Sequence, residues 1–112
     1  MIQMSNRFDS NPTGFTFFTN HVHVLLLIAR EAGLRMRELA AEVGITERAV
    51  QRIVEDLTAA GYLVVTKEGR RNRYQVARQM PLRHRVEAHR TVGELIDFVF
   101  PEAESEKTAA AG

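Results

Sequence analysis

The sequence predicts a mainly α fold closed by a small β-hairpin, and three observations predict it. Apolar residues recur at helical spacing in three successive segments between residues 19 and 60. The period then switches to two over residues 62 to 77. Gly33, Gly44 and Gly61 stand where each of the three helices should stop. A chain of 112 residues with 45% hydrophobic content is the usual size of one domain with one modest core.

The elements follow in order. Residues 1 to 14 are polar, with Asn11-Pro12 and Gly14, and read as a disordered arm. Phe15, Phe17 and Phe18 supply an apolar clasp ahead of the first helix. Thr19 or Asn20 caps that helix, which runs to about residue 32 and stops at Gly33. Its apolar set, Val22, Leu25, Leu26, Ile28 and Ala29, is broad enough to be mostly buried. The second helix covers about residues 36 to 43. Ala40 is small enough to let another helix cross close by, and Gly44 accepts the positive φ of a tight corner. Thr46 caps the third helix, whose stripe of Val50, Ile53, Val54 and Leu57 faces inward, and Ala60-Gly61 ends it.

Tyr62 to Thr66 is then β-rich, and Arg73 to Ala77 alternates apolar with polar. The turn expected between them is Lys67 to Asn72. Met80-Pro81 breaks the chain, and a last helix is expected over about residues 83 to 100. This order is that of a winged helix-turn-helix: a three-helix core, a two-stranded wing and a C-terminal helix. Residues 15 to 80 form the helix-turn-helix unit and 81 to 101 the C-terminal helix, with a disordered acidic tail over 102 to 112.

The net charge of +1 hides an uneven distribution. Residues 1 to 66 hold six basic and seven acidic side chains, residues 67 to 90 eight and two, and residues 91 to 112 one and five. A cationic block concentrated in one short stretch suits a polyanion. The absence of cysteine excludes disulfides and thiolate metal sites. The longest apolar run, residues 24 to 29, is too short to span a bilayer, so no membrane partner is expected and a cytoplasmic protein is.

Two stretches carry a resemblance, ELAAEVGITERAVQRIVEDLTAAGYL over residues 38 to 63 and the wing GRRNRYQV over 69 to 76. With them, residues 19 to 77 resemble bacterial winged helix-turn-helix transcriptional regulators of the broad MarR/ArsR-like kind. The resemblance implies double-stranded DNA as partner, a homodimer with contacts on the C-terminal helix, and regulation of transcription.

Residue geometry points the same way independently. At about 100° per residue, Arg48, Gln51, Arg52 and Glu55 share the face opposite the apolar stripe of the third helix. Thr46, Glu47 and Arg48 lie at its N-terminal end, where recognition helices meet base edges. Arg48 or Arg52 can pair with guanine O6 and N7, and Gln51 with adenine N6 and N7, each discriminating by roughly 1–3 kcal/mol. In the wing, Lys67, Arg70, Arg71 and Arg73 place four cations within seven residues, suited to phosphates or a narrow minor groove. Asn72, and Arg37 on the second helix, are further backbone candidates.

Val86, His89, Val92, Ile96 and Val99, widened by Leu95, recur at spacings of three and four and are expected at the dimer interface. Gly93 weakens that helix by about 1 kcal/mol relative to alanine and marks a close crossing or a bend. His21 and His23 are two apart, and His84 and His89 five apart, so neither pair chelates locally and no metal or cofactor is expected. No nucleophile elbow, P-loop or His-Glu-x-x-His helix is present, so no enzyme is expected. The alternatives are a winged-helix protein-interaction module without DNA binding, and a sensor gated by an unknown ligand or metal effector.

Overall fold

The computed structural model describes residues 15–101. The arm expected over 1–14 and the tail expected over 102–112 lie outside the described residues. Helix α1 spans Asn20–Arg30, α2 Met36–Val43 and α3 Glu47–Ala59, followed by strands β1 (Leu63–Glu68) and β2 (Arg71–Val76) and helix α4 (Val92–Val99).

Thr19 caps α1, its hydroxyl accepting the Val22 N–H at 3.4 Å. The helix ends at Arg30, slightly short of the expected stop, because extended Glu31 breaks the helical path. Val24, Leu25, Leu26 and Ile28 are all buried, since α1 is covered by α2, α3 and β2 on different sides. Gly44 takes φ +86°, and both its N–H and that of Ile45 reach the carbonyl of Ala40. That double closure turns the chain sharply into α3, as the glycine and small-residue spacing predicts. Thr46 caps α3 by accepting the Ala49 N–H at 3.0 Å. Val50, Ile53, Val54 and Leu57 are buried as expected, each contributing roughly 1.5–3 kcal/mol by leaving water.

The wing differs from its expectation in length. β1 and β2 pair antiparallel from Leu63↔Val76 to Glu68↔Arg71, leaving only Gly69-Arg70 to turn the chain. Gly69 at φ +63° followed by a residue of negative φ is the two-residue geometry that matches strand twist, and it lets the ladder continue to its tip. Lys67, Arg71, Asn72 and Arg73 therefore belong to the strands; only Arg70 of the expected cations lies in the turn.

The C-terminal helix differs more. Residues 83 to 90 form turns, and α4 begins only at Val92. Two devices set this start. Pro81 bridges to Thr91, and the Leu82 N–H reaches the Arg90 carbonyl at 2.9 Å, closing 83 to 90 into a projecting loop. Thr91 then caps α4, its hydroxyl accepting the Glu94 N–H while a Glu94 oxygen accepts the Thr91 N–H at 2.8 Å. That N–H, with the Arg90 guanidinium at 3.1 Å, holds the Glu94 carboxyl below the usual glutamate range.

This placement divides the stripe expected at a dimer interface. Val92 and Ile96 are 0% and 3% exposed within the chain's own core, and Val99 packs against it. Val86 and His89 stand on the loop rather than on a helix, and Leu95 is half-buried. The cause is that α4 folds back on the segment leaving β2. Gly93 donates its N–H to the Arg78 carbonyl at 2.8 Å, and a Cβ there would lie 3.0 Å from that oxygen. Gly93 thus marks a close crossing. Arg78 Nη2 reaches both Asp97 oxygens at 2.8 Å, and Arg30 stacks 5.2 Å from the centre of the Phe100 ring.

Candidate nucleic-acid interface

The polar face of α3 forms as the helical period requires. With Val50, Ile53, Val54 and Leu57 turned inward, Glu47, Arg48, Gln51, Arg52 and Glu55 all face solvent. Among the described residues, no side-chain hydrogen bond or ion pair engages Arg48, Gln51 or Arg52. Thr46 is partly committed, its hydroxyl oxygen serving as the cap while the hydroxyl proton stays available. Arg37 is exposed one residue into α2.

Gln51 and the wing wall one groove of about 550 Å³, together with the start of α2: Leu34, Arg35 and Met36 on one side, Arg71, Asn72 and Tyr74 on the other. Buried Tyr74 anchors β2 beneath it. Thr46, Glu47 and Arg48 stand outside that groove, on the first turn of α3. Arg35 is a residue that the sequence reasoning passed over. Its signal was present: Arg35 and Arg37 are two cations flanking the first residue of α2, the end where a helix favours anions.

The wing cations are not equivalent. Arg71 Nη2 donates to the Gly33 carbonyl at 2.8 Å, tying the hairpin to the turn between α1 and α2. Arg73 Nη1 lies 3.5 Å from a Glu68 oxygen across the ladder. Lys67 and Arg70 have no such partner among the described residues. The site therefore offers three chemically distinct parts: a row of two arginines and a glutamine able to meet base edges, two uncommitted cations on the hairpin, and Arg71, which holds the hairpin in place.

The histidines are separate. His21 Nε2 is 2.9 Å from Asp56 Oδ2, His23 Nδ1 is 3.1 Å from Asn20 Oδ1, and His84 Nδ1 accepts the Val86 N–H. Among the described residues, no three metal-ligating side chains gather, and no helix is long and apolar enough to cross a membrane.

Comparison with known proteins matches residues 18–73 to the MarR family, a span that takes in α1, α2, α3, β1 and half of β2. A solved structure, the zinc-dependent MarR family transcriptional regulator AdcR in its Zn(II)-bound state, is 22% identical over 69% of this chain and 67% of that one, with a TM-score of 0.46. No curated protein matches the sequence significantly.

Proposed function

This chain belongs to the MarR family of winged helix-turn-helix transcriptional regulators, and on that premise we propose that it binds double-stranded DNA sequence-specifically, as a homodimer. In this proposal α3 enters the major groove. Arg48, Gln51 and Arg52 meet base edges there, and Thr46 and Glu47 border the contact at the helix start. Lys67 and Arg70 take phosphates or the minor groove beside it, with Arg37 on the backbone. Asn72 faces the duplex from the wall of the shared groove, while Arg71 fixes the angle of the hairpin and Arg73 pairs with Glu68 within it.

The observation that carries this proposal is the uncommitted polar row on α3 next to a groove shared with the wing. A solvated helix needs no such arrangement, whereas a duplex needs both a base-reading edge and flanking cations. Recovery of bound duplexes from a random pool near physiological salt tests it. Enrichment of an inverted repeat is the expected result; failure to retain any duplex would overturn the reading.

A further inference from the structure

The path of α4 decides where the chain beyond it is delivered. Val92 and Leu95, at its start, line one groove with His21 and Val22 of the first turn of α1. Phe100, at its end, lies beneath the Arg30 guanidinium, the last residue of α1, at 5.2 Å. α4 thus runs along α1 from its beginning to its end, and residues 102–112 continue from there. Only three residues separate Arg30 from Leu34, in a turn that the Leu34 N–H closes on the Glu31 carbonyl at 3.3 Å. Leu34 and Arg35 are one wall of the groove that α3 shares with the wing, and Arg71, tied to the Gly33 carbonyl of that same turn, stands in the other.

We propose that the acidic segment 102–112 of the chain itself occupies this groove in the absence of DNA, and that a duplex must displace it to enter. The competition rests on the DNA-binding reading above, whereas the occupancy does not. Charge selects the occupant. The segment holds Glu102, Glu104 and Glu106 against the single cation Lys107, and when extended it sets the three carboxylates on one face. The groove has two arginines in its lining and no carboxylate. Among the described residues the Arg35 guanidinium has no side-chain partner, and Arg71 gives only Nη2 to Gly33, so both retain donors that fit a carboxylate. Reach is sufficient, since an extended chain spans roughly 17 Å from Pro101 to Glu106 and roughly 36 Å to residue 112. The cations of the loop over residues 83 to 90 suit the segment less. They lie at the opposite end of α4, Arg90 is already paired with Glu94, and Glu87 stands among them.

The chain has no cysteine, so Ser105→Cys in the full-length protein carries a single nitroxide whose neighbours are read by paramagnetic broadening of amide signals. At low salt and without DNA, the amides of Leu34, Arg35, Asn72 and Tyr74 should be broadened more than those of residues 83 to 90. That broadening should weaken when Glu102, Glu104 and Glu106 are replaced by glutamine in the labelled protein. Groove signals untouched by the label, indifferent to the three replacements, or broadened less than those of the loop would overturn the occupancy. The competition has its own readout. A tethered segment acts at an effective concentration in the millimolar range, so Glu102→Gln, Glu104→Gln and Glu106→Gln together should tighten binding of a selected duplex roughly threefold to tenfold at low salt, with the gap narrowing as salt is raised. Equal affinity of the two proteins would overturn the competition. Groove broadening in a protein that binds no duplex at all would sink the DNA-binding reading and leave the occupancy standing.

Discussion

At the scale of single residues, neighbouring arginines on the wing have different work. Arg70 is uncommitted at the turn, whereas Arg71 is spent on the Gly33 carbonyl. Arg70→Ala should lower the slope of log affinity against log salt by about one, the mark of a lost phosphate contact. Arg71→Ala should weaken binding with less change of slope, because what it removes is the position of the hairpin. Titrating a selected duplex at several salt concentrations separates the two. Gly93 makes an opposite point about local preference. Alanine is the better helix former by about 1 kcal/mol, yet Gly93→Ala should lower stability by about 1–3 kcal/mol, because its methyl group meets the Arg78 backbone oxygen at 3.0 Å. Urea denaturation checks the sign.

At the scale of elements, the caps decide where structure starts. The three core helices were legible because each combines an apolar stripe with a threonine cap, a terminal glycine or both. The sequence pattern overextends α4 because Val86 and His89 continue its period backwards by chance of spacing. The corrective signal was also present: Thr91-Val92-Gly93-Glu94 is a capping box, and it starts a helix whatever precedes it. The polarity of Lys67, Glu68, Arg71 and Asn72 suggests a six-residue wing turn, although opposite charges at Glu68↔Arg71 suit paired strands. The box also has a pH signature. The folded Glu94 carboxyl is held below its ordinary range, first by the Thr91 N–H, so its contribution is full above the unfolded glutamate value. That contribution is lost as pH falls through the lower, folded value. The stability gap between the wild type and Glu94→Gln should therefore shrink as denaturation midpoints are taken further into acid.

At the scale of the whole molecule, the cationic block over residues 67 to 90 divides into a hairpin beside α3, Arg78 paired with Asp97, and a loop beside α4. No periodicity in the sequence separates them, since only the return of α4 onto the core places the loop away from the wing. The same return buries Val92 and Ile96 in the chain's own core and leaves Phe98 exposed, a residue the stripe did not include. If two copies hold their recognition helices at a fixed spacing, inserting about five base pairs at the centre of a selected inverted repeat turns the half-sites to opposite faces of the duplex. Affinity should then fall toward that of a single half-site, whereas a monomeric binder would be indifferent; mobility-shift titration of the two duplexes decides.

Tyr62 accepts the Ala77 N–H on its carbonyl at 2.9 Å and donates its hydroxyl to the Pro81 carbonyl at 2.6 Å. The chain entering the wing and the chain leaving it are thus clamped at one residue, before any of the hairpin begins. Beyond the clamp Leu63 and Tyr74 stay in the core and Arg71 holds to the Gly33 carbonyl, so only the Gly69-Arg70 end projects free of the body. Two residues added to each strand at the Gly69-Arg70 end keep the pairing that closes the turn and would push the tip outward by about 7 Å, leaving the body of the domain unaware of the change. On the DNA-binding proposal, reach along a duplex would therefore be set by the tip of the hairpin alone.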